Sequence, residues 1–373
     1  MKYLISDLFD KYECIGGQCL STCCGKWNIY VDDESYEKYK KLDSENREWI
    51  LNHIENHDGK LRIKLREDNR MCPFLNEEGW CLMYRKISPD TMCDTCRDFP
   101  RTASIYYDLY ALTVSLGCPE VAKSVINIKE PILFRFDEDD KEVKIDNPDW
   151  NKYNEAINGF ILTVDILQDR RISIGKRLIL SLMVAEHIQN HIDMNNYDGL
   201  RQELSVYSDK EKRVKLSEDM NNQIGKISNI DEVVTYLFSR VSMTKNASIF
   251  YIPIIKDSAE YYTIKQVFDS EAKIDTEYEN IAVQMVFEEY MKVVAGGSIY
   301  NGFIMIATYI IILMTQEMYM YRDGKLNDNE RMLLIAHLSR LIEHSPFLEL
   351  IRDEGYMIYN NEAVKDLLGI IDI

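Results

Sequence analysis

The sequence predicts a mainly α protein. A cysteine-rich, metal-binding α+β N-terminal domain over residues 1–125 is joined by an acidic linker over 126–150 to an α-helical domain over 151–373. Three observations carry this reading. All nine cysteines of the 373-residue chain fall between Cys14 and Cys118. From Tyr153 onward apolar residues repeat at intervals of three and four, the helical period. Of the eight prolines only Pro253 and Pro346 follow Pro148, which leaves long helices uninterrupted.

Residues 32–56 read as helix, because Tyr36, Tyr39 and Leu42 share a face that Trp49, Ile50 and Ile54 continue. Leu61-Arg-Ile63-Lys-Leu65-Arg alternates with period two and reads as a short strand. Residues 103–116 (Tyr106, Tyr107, Leu109, Tyr110, Leu112, Val114) read as a pair of strands leading into Cys118. The run Asp137-Glu138-Asp139-Asp140 and then Asp146-Asn147-Pro148 read as a solvated linker. Beyond it, one helix carries Tyr153, Ala156, Ile157, Phe160, Ile161, Val164 and Leu167. A second carries Ile174, Leu178, Leu182, Ala185, Ile188 and Ile192. Further helices are expected over 277–294, 299–321 and 327–343, the last with Asn327 three residues before Glu330, a capping-box spacing.

Charge narrows the partners. The chain is net −4 through Lys123 and −14 beyond it. Such a surface has no cationic excess to neutralise phosphate, so neither nucleic acid nor an anionic membrane is expected as a partner. Two aspartates, Asp7 and Asp10, interrupt the apolar N-terminus, which is unlike a signal peptide. The longest apolar run, 302–315, is too short to span a bilayer and reads as a buried core helix. A cytoplasmic location follows as an expectation. There, cysteines serve as ligands or catalysts more often than as disulfides, and the odd count of nine agrees.

The thiols are grouped as Cys14-x4-Cys19-x3-Cys23-Cys24, Cys72-x8-Cys81, Cys93-x2-Cys96 and Cys118. Soft thiolates at close spacing suit zinc or an iron–sulfur cluster. Adjacent Cys23 and Cys24 point apart on most backbones, so both reach one centre only around a tight turn, which Gly25 permits. Otherwise one binds metal while the other packs or faces a second site. A purely structural metal is the competing reading. A redox dithiol at Cys93 and Cys96 lacks the βαβ context it needs. His187/His191 and His53/His57 each share a helix face but do not form HExxH, and they read as surface or half-buried residues. His344 would sit favourably at a helix C-terminus. There is neither a phosphate-binding glycine loop nor a G-x-S-x-G elbow.

The cysteine blocks also carry a resemblance. Cys14-Ile-Gly-Gly-Gln-Cys19-Leu-Ser-Thr-Cys23-Cys24-Gly-Lys-Trp27-Asn-Ile29 resembles the opening motif of the flagellin lysine-N-methylase family, which belongs to a wider set with a zinc- or iron-chelating cysteine-rich domain. Cys72-Pro-Phe-Leu-Asn-Glu-Glu-Gly79-Trp-Cys81, Cys93-Asp-Thr-Cys96-Arg-Asp-Phe-Pro100-Arg101 and Leu116-Gly-Cys118-Pro119-Glu120 are similar to its later blocks, in order, over residues 11–123. Downstream, Gly175-Lys-Arg177-Leu178, Glu279-Asn280 and Ser339-Arg340-Leu-Ile-Glu343-His344 resemble family positions. The helix after Asn280 lacks the expected tyrosine-rich character.

The resemblance implies a protein-lysine N-methyltransferase that modifies flagellin or another lysine-bearing protein. S-adenosylmethionine would be the donor, and a [4Fe-4S] cluster (zinc as the alternative) would be held by thiolates drawn from Cys14, Cys19, Cys23, Cys24, Cys72, Cys81, Cys93, Cys96 and Cys118. One cluster needs four, so a second metal would employ the surplus. A lysine amine of pKa about 10.4 costs roughly 4.6 kcal/mol to deprotonate at pH 7. A sulfonium favours aromatic faces, and Trp27, Tyr30, Tyr106, Tyr107 and Tyr110 lie in or beside the cysteine blocks. The competing expectation is a non-enzymatic zinc- or iron-binding adaptor or chaperone-like module for flagellar or other secreted proteins. A redox or metal sensor is a third.

Overall fold

The computed structural model describes residues 1–220, 257–272 and 275–344, with side chains through Leu341 in the last segment. Pro253, Pro346 and the side chain of His344 lie outside the described residues.

The N-terminus forms strand β1 (Lys2–Ser6), and the Ser6 hydroxyl accepts from Leu8 N to start the short helix α1 (Asp7–Lys11). The helix expected over 32–56 is instead two helices and a strand. Asp32 caps α2 (Asp33–Lys40), and Asp43 caps α3 (Ser44–Leu51) by accepting from Asn46 N at 3.1 Å. The second aspartate offers the backbone a new helix start, which ends the first one. Ile54 then begins β2 (Ile54–His57), which turns at Asp58 and Gly59 into β3 (Lys60–Ile63). Both turn residues have positive φ, 52° and 83°, as a two-residue hairpin turn requires.

A five-residue helix α4 (Asp94–Asp98) follows, then β4 (Arg101–Tyr106) and β5 (Leu109–Val114), the strand pair expected over 103–116. After α5 (Pro119–Asn127) the chain makes β6 (Phe134–Glu138) within the stretch read as linker. The four-stranded sheet has the order β4-β5-β1-β6, with β1 parallel to β5 and antiparallel to β6. Phe134 stacks on Phe287 at 5.1 Å and meets Phe160 edge-on, so one apolar side chain anchors the acidic segment to the helical body.

The helical body contains α6 (Trp150–Leu167), α7 (Ile174–Asp193), α8 (Leu200–Ser208), α9 (Lys210–Asp219), α10 (Ser258–Ala272), α11 (Asp275–Glu289), α12 (Ile299–Arg322) and α13 (Asp328–His344). The helix expected over 277–294 tightens to a 3-10 turn from Tyr290, and Gly296, at φ 94°, terminates it. Asn327 Oδ1 accepts from Glu330 N at 3.1 Å, which realises half of the anticipated capping box. By length and composition α12 is apolar enough to cross a membrane, but 94% of that window is buried within the protein. It is the central core helix.

Two apolar cores result. The larger joins β1, β4 and β5 to the helices: Leu4, Leu109, Val114 and Val121 pack in the same cluster as Leu178, Ile306 and Ile335. The sheet and α5, although encoded within residues 2–138, therefore pack with the helices. The smaller core gathers Ile29, Val31, Tyr39, Ile50, Ile63 and Phe74 around Cys72 and Cys93. Burial of each large aliphatic contributes about 1.5–3 kcal/mol.

Buried ion pairs fix the helices. Glu279, fully buried, meets Arg177 at 2.7 Å and Arg170 at 2.9 Å. Its neighbour Asn280 donates to the carbonyls of Val125 and Ile128 at 3.0 and 2.9 Å. Arg177, Glu279 and Asn280 are thus explained by packing between α7, α11 and α5.

Candidate functional site

All nine cysteines are free thiols, and they divide into two neighbourhoods. Cys24, Cys81 and Cys96 pack against the small core that holds buried Cys72 and Cys93. Backbone pairing puts them there. Cys72 N donates to the Cys24 carbonyl at 2.9 Å, Gly25 bridges to Met71, and Leu75 bridges to Cys81. A Cβ on Gly25 would lie 2.7 Å from the Arg70 carbonyl, so the close approach requires glycine. Cys93 and Cys96 bracket the first turn of α4 and hydrogen-bond to each other, and that contact lowers the Cys93 thiol and raises Cys96 well above the ordinary range. Burial pushes Cys72 up to about 12. Cys72 and Cys81 both lie within electrostatic reach of Cys24 and Cys93.

Cys14, Cys19, Cys23 and Cys118 form the other neighbourhood, at the seam between the small core and the helical body. Cys118 contacts the Tyr12 hydroxyl at 3.7 Å, and that hydroxyl also hydrogen-bonds Cys14. Cys19 and Cys23 each sense Cys118 and Arg340. The loop carrying Cys14 and Cys19 lies on Trp80. A Cβ on Gly17 would sit 2.7 Å from the Trp80 Nε1.

Arg340 of α13 closes the seam. Its Nε donates to the Gly117 carbonyl at 2.7 Å, while its two terminal nitrogens reach Ser21 Oγ at 3.1 Å and the Ser21 carbonyl at 2.9 Å. One guanidinium thereby ties the residue before Cys118 to the loop between Cys19 and Cys23. His337, one turn earlier, is 3.0 Å from the same Ser21 hydroxyl. Burial, helped by Arg340 and Lys26, lowers this imidazole to about 4.

The thiols of Cys23 and Cys24 hydrogen-bond each other and both sense Arg340, so the two neighbourhoods meet at this pair. That bond lowers Cys24 to about 6 and raises Cys23. Thiolates are the soft donors that a thiophilic metal takes. Among the described residues, however, no group of three or more His, Cys, Asp or Glu side chains stands as a formed metal cage.

The aromatic residues flagged by sequence do not converge. Trp27 Nε1 donates to the Cys23 carbonyl at 2.6 Å, and its ring packs on Phe99. Tyr30 lies under Lys60. Tyr106 is in the main core, Tyr107 stacks on Tyr153 and Tyr110 on Tyr3. His187 and His191 both address Glu203, at 3.1 and 3.2 Å, which joins α7 to α8. His53 caps its helix through the Trp49 carbonyl at 2.8 Å and packs on Phe74. Sequence reasoning missed Tyr12, Ser21 and His337 as neighbours of the thiols. Arg340 carried a signal only through its resemblance to a family position.

Fold and site together define a class, a mainly helical protein with a free-thiol unit clasped to its last described helix. The FliB lysine N-methylase C-terminal domain matches residues 161–367. The chain belongs to the FliB lysine N-methylase family. It is similar to a lysine-N-methylase of Salmonella typhimurium strain LT2, 28% identical over 124 residues, which are 31% of this chain and 30% of that one. A lysine-N-methylase of Salmonella choleraesuis is 28% identical over 123 residues, with the same two shares. The flagellar biosynthetic protein FliU of Salmonella muenchen is 26% identical over 123 residues, 31% of this chain and 72% of FliU. The matched stretch thus spans about a third of the curated lysine-N-methylases (30%). No solved structure matches.

Proposed function

We propose that this protein is a cytoplasmic protein-lysine N-methyltransferase that takes the methyl group of S-adenosylmethionine and places it on lysine ε-amines of flagellin or a similar secreted subunit. The family match over residues 161–367 is the observation that carries this reading. The order of the cysteine blocks supports it independently. A [4Fe-4S] cluster held by N-terminal thiolates would supply either structural anchorage or an electron to the sulfonium.

The chain's own residues have three tasks. The substrate lysine must lose a proton at a cost of roughly 4.6 kcal/mol at pH 7, which a desolvating or anionic surrounding offsets. The substrate must be attracted, and the excess of 41 acidic over 27 basic residues beyond Lys123 favours a lysine-bearing partner. The thiol unit must be held against the helical body, which Arg340 does through Gly117 and Ser21.

The test is transfer of isotopically labelled methyl from S-adenosylmethionine to purified flagellin, read as label on lysine after digestion. Label on lysine is expected. Binding of flagellin without transfer would instead favour the adaptor reading.

A further inference from the structure

β4 (Arg101–Tyr106) is an edge strand of the four-stranded sheet, and among the described residues it pairs only with β5. The Pro100 carbonyl accepts from Ser115 N at 2.8 Å, which fixes the phase of that antiparallel ladder. Thr102, Ser104 and Tyr106 therefore turn their backbone groups toward β5, while Ala103 and Ile105 turn theirs to the open side. Ala103, Ser104 and Ile105 are exposed, Ile105 by 58%. The opposite edge is guarded. β6 carries Arg135, Asp137 and Glu138, and Arg135 pairs with Asp10 and Asp137. Charges of this kind discourage the addition of a further strand. β4 has none past Arg101, and neither a proline nor a bulge interrupts it.

Acidic groups stand at the far end of the open edge. Tyr106, which shares a sheet face with Ser104, lies within electrostatic reach of Glu288, Glu289 and Lys292. Lys292 pairs with Glu289, so the half-buried Glu288 leaves this trio net negative.

We propose that the open edge of β4 docks an extended, lysine-bearing segment of the protein substrate as an added strand. The choice of occupant rests on the lysine-methyltransferase reading. Backbone groups of the segment pair with those of Ala103 and Ile105. Successive side chains of an added strand alternate between the two sheet faces. The residue opposite Ile105 lies beside that exposed apolar side chain, and its neighbour opposite Tyr106 lies on the face of Glu288. The edge therefore fits an apolar residue followed or preceded by a lysine. A second copy of this chain is the poorer occupant, because each chain carries a net charge of −18.

The test measures binding of a short synthetic peptide of alternating valine and lysine to the full-length chain by fluorescence anisotropy. The comparison is the same peptide with methylated backbone nitrogens, which keeps its charge and side chains but cannot pair as a strand. The unmodified chain should bind the first peptide, more weakly as salt rises, and the methylated one at least about tenfold less tightly. Ala103→Pro removes an outward N–H and leaves the β5 ladder intact. It should weaken binding by about tenfold, the effect of one hydrogen bond lost with its partner left unpaired. Glu288→Gln should lower the affinity and flatten its salt dependence. Equal affinity for the two peptides, binding of neither, or dimerisation that Ala103→Pro abolishes overturns the proposal. The peptide comparison needs only the unmodified chain, so it decides even where a variant fails to fold. Methyl transfer to subsaturating flagellin that is undiminished in folded Ala103→Pro sinks the docking site and leaves the methyltransferase reading intact. Strand-dependent binding without transfer does the reverse.

Discussion

Arg340 Nε donates to the carbonyl of Gly117 at 2.7 Å, and this bond couples the last described helix to the residue that precedes Cys118. The same guanidinium makes two further bonds to Ser21. Hydrogen bonds from a charged donor are worth about 1.5–3 kcal/mol each in favourable settings. Arg340→Ala should therefore lower stability by about 2–3 kcal/mol in urea unfolding. It should also raise amide exchange at residues 15–23 and 115–118. Arg340→Lys keeps the charge but not the planar fork, and should recover less than half of that loss. Unchanged exchange in the two loops would show that the clasp is idle.

Glu279 depends on Arg177 in the same direct way. Both are buried, and the partner that remains after loss of Arg177, Arg170, is partly exposed. Arg177→Met should cost up to about 3–5 kcal/mol, because it breaks a buried ion pair and leaves Glu279 only the partly exposed Arg170. Arg177→Met combined with Glu279→Leu should recover most of that loss, and a full mutant cycle measures the coupling. Additive losses would contradict the pairing.

Gly17 is predicted to tolerate no side chain. An alanine Cβ would lie 2.8 Å from the Glu78 carbonyl as well as close to the Trp80 ring, and backbone cannot yield cheaply. Gly17→Ala should destabilise by about 1–3 kcal/mol and change Trp80 fluorescence. Gly59→Ala meets no atom within 4 Å, although its φ of +83° still carries backbone strain. It should leave that fluorescence unchanged.

His337 sets a pH dependence. Its folded value of about 4 lies below the ordinary 6.5, so between these limits the unfolded chain binds a proton that the folded chain does not. Its contribution to stability is full above pH 6.5 and is lost as pH falls toward 4. His337→Gln retains a partner for Ser21 without this proton and should flatten the slope of the unfolding midpoint in that window. A slope equal to that of the parent would refute the assignment.

The helices were legible because their apolar faces repeat cleanly, as in Tyr153 to Leu167 and in α13. The hairpin of β4 and β5 was legible through its alternation. β1 escaped notice because Leu4 and Ile5 are consecutive and both buried, a pattern that short apolar runs share with helices. β6 was hidden by its acidic composition: Phe134 is half-buried against the body and the rest of the strand is exposed. The single helix expected over 32–56 failed because Asp43 restarts the chain. For the thiols, sequence exposed their number and clustering, while Cys23 and Cys24, expected to point apart on most backbones, hydrogen-bond each other. Their allocation depends on Gly117, Ser21 and Arg340 meeting across more than two hundred residues, 223 for Arg340 and Gly117, which no local pattern encodes.

The most direct test is the intact mass of flagellin after incubation with this protein and S-adenosylmethionine under anaerobic conditions. Lysine methylation predicts a ladder of single-methyl increments that map to lysines and need both the donor and the native protein. Flagellin of unchanged mass, with protein that is folded and metal-loaded, would contradict it.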